Sequence, residues 1–189
     1  EVYATARRAR EFGVATGDVT LDWPAVLARK AQVTAQLVGG VEVLLRKAGV
    51  EVIKGEARFT GPWSLIVRGA DGEQTLQPER IIIAAGSSPI TLPIPGLDLP
   101  QVMGSDGALD LASLPRRMLI IGGGAIGVEF ASLFHTCGVE VTLVELLPRL
   151  IPNADHDIGE GLEWELKEKG VHIYTRSRVR QIVAGPGKA

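Results

Sequence analysis

Met118-Leu119-Ile120-Ile121-Gly122-Gly123-Gly124-Ala125-Ile126-Gly127 is the stretch on which the fold turns, because an unbroken apolar run empties directly into glycines at G-x-G-x-x-G spacing: Gly122, Gly124 and Gly127. Apolar residues without alternation suit a parallel strand covered on both faces. At that spacing each glycine has a separate job. Gly122 permits a tight strand-to-helix turn, Gly124 lets backbone approach a pyrophosphate, and Gly127 lets the following helix pack closely on the strand. Ala125 and Ile126 then open that helix, whose unpaired N–H groups and positive end would receive the phosphates.

A glycine cluster alone is a weak signal, since any tight strand-to-helix turn can imitate it. Its surroundings strengthen it. Glu140-Val141-Thr142-Leu143-Val144-Glu145 reads as a second strand ending in an acid 23 residues after Gly122, close to the roughly 20 expected of a Rossmann dinucleotide unit. A carboxylate there accepts hydrogen bonds from an adenosine ribose and repels a 2′-phosphate, so Glu145 argues for NAD over NADP. The competing reading is a solvated acid at a strand end. Arg149 lies four residues on and reads as a loop arginine.

Working outward, strands at 118–122, 140–145, 171–175 and 178–183 alternate with helices at 125–137 and 157–169, which predicts a parallel α/β sheet. Upstream, Val26, Leu27, Val33, Leu37, Val41, Leu44 and Leu45 recur at helical spacing and predict a helix from Trp23 to about Lys47, with Gly39-Gly40 as a place to bend or weaken it. A shorter helix precedes it, ending near Val14. Between them and the glycine motif, short segments at 50–53, 56–60, 63–68 and 74–76 predict an antiparallel meander. Arg80-Ile81-Ile82-Ile83-Ala84-Ala85-Gly86 predicts a central parallel strand. Pro89, Pro93, Pro95 and Pro100 make 87–100 a connection, and a domain boundary is expected near Pro115.

Composition narrows the function classes. Of 189 residues 46% are apolar, enough to bury a core. Twenty basic against 22 acidic residues leave a net charge of −2, which gives no field favouring nucleic acid or an anionic membrane. The longest apolar runs, Ile81–Ala85 and Met118–Ile121, fall far short of the roughly 20 residues of a membrane span. The chain opens without Met or a signal pattern and reads as internal to a longer one. Its single cysteine, Cys137, continues an apolar helical face, so a buried thiol and a cytoplasmic setting are expected. No metal site is expected.

Ile81–Pro89 (IIIAAGSSP), Pro95-Gly96, Leu114-Pro115, Met118–Ala131 (MLIIGGGAIGVEFA) and Val141–Glu145 together resemble the class I pyridine nucleotide-disulfide oxidoreductases, most closely the dihydrolipoamide dehydrogenase branch that serves 2-oxo acid dehydrogenase complexes. Gly55–Phe59 and Asp155–Ile158 fall at family-like places too. The resemblance implies FAD/NAD(P)-binding Rossmann-like domains, with 1–114 as the latter part of an FAD domain and 115–189 as the first part of an NAD domain. It implies FAD and NAD as cofactors, with backbone at Gly55 and Ala57 against the FAD adenine and Ala85-Gly86 passing the flavin nucleotide. Ala85 replaces the family's usual Thr, which removes a possible hydroxyl contact.

By the same resemblance Glu129 points to the nicotinamide end, although an acid near a helix N-terminus is stabilised there without any role. Gly127 and Glu145 set the chain apart from the glutathione-reductase branch. The family's cysteine pair is expected before residue 1 and its His-Glu pair beyond residue 189. His135, His156 and His172 match neither, so no catalytic residue is assigned. The implied whole is a homodimeric enzyme passing electrons from a dihydrolipoyl group, free or on a lipoyl domain, through a disulfide and FAD to NAD+. A mercuric-reductase-like or other disulfide reductase, and a non-catalytic dinucleotide-binding fragment, stand as alternatives.

Overall fold

In the computed structural model, which describes residues 2–70 and 72–185, the chain clusters into two units, residues 28–89 and residues 1–27 with 90–189. In chain order the elements are α1 (Val2–Arg7), a 3-10 turn (Ala9–Phe12), α2 (Trp23–Lys47), β1 (Glu56–Gly61), β2 (Ser64–Gly69), β3 (Gly72–Leu76), α3 (Ser105–Leu109), β4 (Arg117–Ile121), α4 (Ala125–Thr136), β5 (Glu140–Val144), α5 (His156–Glu168) and β6 (His172–Tyr174). Among the described residues no helix is long and apolar enough to cross a membrane.

The larger unit is built on a parallel sheet in the order β4-β5-β6. β4 runs in register with β5 from Arg117 opposite Glu140 to Ile121 opposite Val144, and β5 pairs with β6 from Thr142 to Val144. As the central strand, β5 buries Val141 and Leu143 completely. α4 places Val128, Ala131 and Phe134 in the same core at helical spacing. Phe134 is sealed by two rings, Phe130 at 5.8 Å and Trp23 at 6.3 Å between centroids. The Trp23 indole satisfies its own polar atom by donating to the Leu111 carbonyl at 2.7 Å. Each large side chain buried this way contributes about 1.5–3 kcal/mol from removal of apolar surface. Leu150 is fully buried as well, although it lies in the loop after β5.

The smaller unit carries the antiparallel meander, in the order β1-β2-β3. Glu56 pairs with Arg68 and Leu65 with Leu76, and the register slips between Phe59 and Gly61. α2 runs unbroken through Gly39-Gly40. Of the meander, Val67 alone among the described hydrophobics is buried.

Three predicted strands do not form. At 50–53 the N–H of Val50 is spent on the Leu45 carbonyl at the end of α2, and no ladder follows. The run from Ile81 to Gly86 is extended but unpaired, with Ile82 93% and Ile83 73% exposed. A central parallel strand takes its stability from a ladder on each edge and cover on each face, and no described strand flanks this one. At 178–183 the Ile182 N–H donates to the Pro95 carbonyl at 2.8 Å, a single crossing in place of a ladder. The early helix ending near Val14 is divided into α1 and the 3-10 turn.

Candidate dinucleotide site

Past the end of β4 the ladder continues for one more rung, with the Gly122 N–H donating to the Val144 carbonyl at 2.9 Å. Gly122 then turns the chain at φ +111°, a conformation that costs little only without a Cβ. The next three motif positions differ in what surrounds them. A Cβ on Gly123 would lie 2.6 Å from Leu150 Cδ2 and 3.0 Å from Glu145 Cβ, so this residue is walled in. Gly124 is extended, at φ −72° and ψ −179°, and among the described residues nothing beyond its own stretch of chain lies within 4 Å of its Cβ position. A Cβ on Gly127 would overlap the Gly122 carbonyl oxygen and sit 3.5 Å from Ile120 Cγ2. Gly127 therefore holds α4 against β4, while Gly124 leaves its approach open.

Among the described residues no side chain caps α4, and the Val128 N–H donates to the Gly124 carbonyl at 3.1 Å. The N–H groups of Ala125, Ile126 and Gly127 have no partner inside the helix, and they stand at its positive end. Ala125 and Ile126 are exposed, Ile126 by 62%. The arrangement suits an anion that lies along exposed backbone.

Glu145 stands directly behind this turn and is buried to 8% exposure. Its Oε2 accepts the Gly123 N–H at 2.5 Å and its Oε1 accepts the Leu147 N–H at 2.6 Å. An ionised carboxylate has about four acceptor positions, so two backbone donors leave capacity for a ribose hydroxyl. Glu145 is thus a structural member of the glycine turn and not merely a strand-end acid in solvent. Arg149 is spent locally, donating to the carbonyls of Pro152 at 2.9 Å and Ala154 at 3.3 Å. It is the loop arginine the sequence led us to expect.

Two parts of the site had escaped the motif. The Ile151 N–H donates to the Gly123 carbonyl at 2.8 Å, and Leu150 packs beneath Gly123. The signal lay in an apolar pair, Leu150-Ile151, set between Pro148 and Pro152, which marks a loop with something to bury. The chain after β6 also reaches the site, through hydrogen bonds from Arg176 and Ser177 to the carbonyls of Leu147 and Glu145. Nothing in the sequence pattern marked it.

The structure brings Gly122, Gly124, Ala125, Ile126, Gly127 and Glu145 together. Glu129 is exposed in the second turn of α4, whose first turn holds no acid. Gly55, Ala57, Ala85 and Gly86 belong to the other unit, where all four are exposed. There Gly55 passes so close to the Arg68 backbone that a Cβ would meet its carbonyl carbon at 2.8 Å. Cys137 is half-buried, and burial pushes its thiol up from the ordinary value. Among the described residues no group of three or more His, Cys, Asp or Glu is placed to hold a metal ion.

The family model for pyridine nucleotide-disulphide oxidoreductases matches residues 3–188. The chain belongs to that family. Within it, a dihydrolipoyl dehydrogenase of Bacillus subtilis is 38% identical over 178 residues, covering 93% of this chain and 39% of the relative. One from Trypanosoma brucei is 40% identical over 153 residues, 80% of this chain and 32% of that one. Among solved structures, the HOCl-induced flavoprotein disulfide reductase RclA of Escherichia coli, as its Cu(II) complex, superposes with a TM-score of 0.80 at 31% identity, covering 98% of this chain and 40% of that one. LpdA of Mycobacterium tuberculosis does so with a TM-score of 0.80 at 25% identity, covering 98% of this chain and 41% of that one. The chain therefore spans about a third to two fifths of the length of these relatives.

Proposed function

We propose that this chain carries the dinucleotide site of a dihydrolipoyl dehydrogenase, holding NAD(H) along the turn from Gly122 to Gly127. The observation that carries the reading is the pairing of an open Gly124 with a Glu145 carboxylate already built into the turn. The N–H groups of Ala125 and Ile126 would receive the pyrophosphate, and the Glu145 carboxylate would accept from the ribose hydroxyls. Residues 1–114 act as the latter part of an FAD domain and 115–189 as the first part of the NAD domain. The exposed backbone at Gly55, Ala57, Ala85 and Gly86, with open space at the Gly86 Cβ position, is accessible to the FAD that the family uses. Glu129 faces the nicotinamide end.

When bound, FAD would supply the redox chemistry that links a dithiol to NAD+. This chain's own residues bind and orient; with one cysteine in the sequence, none of them is assigned to the disulfide chemistry. The whole protein acts on a dihydrolipoyl group, free or on a lipoyl domain, as a homodimer in the cytoplasm. A second reading, another flavoprotein disulfide reductase, is favoured by the likeness to RclA. The test is dihydrolipoamide-dependent reduction of NAD+ by the natural protein carrying this chain. Turnover with dihydrolipoamide supports the first reading; turnover with other disulfide substrates only would replace it with the second.

A further inference from the structure

Two non-glycine residues among those described adopt positive φ: Ile151 at +40° and Arg176 at +53°. Such backbone is uncommon outside glycine and persists where the surroundings enforce it, often at functional sites. One touches the dinucleotide turn and the other the chain just past β5, beside Glu145. Ile151 bonds the Gly123 carbonyl, and Arg176 lies in a turn laced to the tip of β5. There the Glu145 N–H donates to the Tyr174 carbonyl at 2.8 Å, the Arg176 N–H to Leu147 at 3.0 Å, and the Ser177 N–H to the Glu145 carbonyl at 2.9 Å. Ser177 Oγ closes the turn on the Thr175 carbonyl at 3.0 Å.

Charge gives this placement a consequence. The residues that follow Glu145 in sequence, Leu146, Leu147 and Pro148, are uncharged, and Arg149 is committed to two loop carbonyls. Arg176 is exposed, and its backbone touches Leu147, two residues from the acid that faces the adenosine ribose in the reading above. We propose that Arg176 is a specificity-determining residue of the dinucleotide site, supplying from the β6 turn a positive charge that a 2′-phosphate can use. Glu145 disfavours that phosphate; Arg176 softens the refusal, and the balance between NAD and NADP is set by both. The inference rests on the dinucleotide reading of the Gly122–Gly127 turn.

The test is calorimetric titration of the natural protein, in its oxidised form, with NAD+ and with NADP+. Three proteins are compared: wild type, Arg176→Asn and Arg176→Lys. Asparagine tolerates the left-handed backbone, and Arg176→Gly serves if the asparagine variant folds poorly. For a solvent-exposed charge contact, Arg176→Asn is expected to weaken NADP+ by about three- to fivefold, with a smaller effect on NAD+. Arg176→Lys should recover most of the loss, and the difference should shrink towards about 0.5 M salt as screening increases. A merely structural role would weaken both nucleotides together and would be insensitive to salt. An unchanged ratio of the two affinities in Arg176→Asn, or no measurable NADP+ binding to wild type, overturns the proposal. Wild type binding neither nucleotide would instead overturn the dinucleotide reading beneath it.

Discussion

Adding one methyl group at Gly124 and one at Gly127 should separate ligand contact from packing. At Gly124 the backbone angles suit alanine and, among the described residues, nothing beyond its own stretch of chain lies within 4 Å of the new Cβ, so Gly124→Ala should leave stability within about 1 kcal/mol of wild type. The methyl would instead stand where a pyrophosphate approaches. Displacing it from even one charge-assisted N–H bond forfeits about 1.5–3 kcal/mol, which is roughly a ten- to hundredfold rise in Kd for NAD+. At Gly127 the methyl meets the Gly122 carbonyl oxygen, a backbone atom that cannot swing aside. Overpacking of this kind costs about 1–3 kcal/mol, partly offset by the roughly 0.5–1 kcal/mol that alanine contributes over glycine in a helix. Gly127→Ala should therefore lower the unfolding midpoint and also weaken NAD+, because the helix end moves. Both variants would be measured in the natural protein by calorimetric titration with NAD+ and by denaturant unfolding. Wild-type affinity in Gly124→Ala would refute the assignment of the open face to the pyrophosphate. A Gly124→Ala variant as unstable as Gly127→Ala would refute the packing half.

Glu145→Gln should destabilise the protein by about 1–3 kcal/mol, because the amide can accept one of the Gly123 and Leu147 N–H groups and turns its own donor towards the other; an unfolding midpoint equal to wild type would show that these bonds contribute nothing. Cys137 should alkylate with iodoacetamide at pH 8 more slowly in the native protein than after denaturation, since burial disfavours its thiolate. The native thiol holds its proton above its ordinary 9.0, so the native state binds more protons than the unfolded one in that range, and this group's contribution to stability should fall as pH rises past it. Equal labelling rates in the two states would contradict the burial.

The parallel half of the fold was legible because its signals are local. β4, α4 and β5 are specified by an apolar run, a glycine turn and a second apolar run within about 30 residues, and each finds its partner in the next. Ile81–Gly86 carries an equally strong apolar signal and forms no strand. Its pattern reports how a segment would behave once flanked, and flanking strands are not a property of the segment itself. Val50–Ile53 and 178–183 likewise lack a flanking strand, and each spends an N–H elsewhere, Val50 on Leu45 and Ile182 on Pro95. At the site, spacing located Gly122, Gly124, Gly127 and Glu145. Glu145's bond to the Gly123 N–H was invisible to it, as were Ile151 and Arg176, because these contacts join loops that approach only after the sheet has formed.

The bond from Ile151 to Gly123 and the Leu150 side chain beneath it bear on the timing of the entropy loss. A glycine-rich loop left to itself would sample many conformations and would have to surrender them each time a nucleotide arrived. Here the loop is held from below by Leu150, from behind by Glu145 and at its carbonyl by Ile151, so its ordering belongs to folding and not to association. Preorganisation of this kind removes a conformational penalty from every binding event. It also leaves the encounter rate to be governed by diffusion and orientation, with differences in affinity among nucleotides falling mainly on how fast each one leaves.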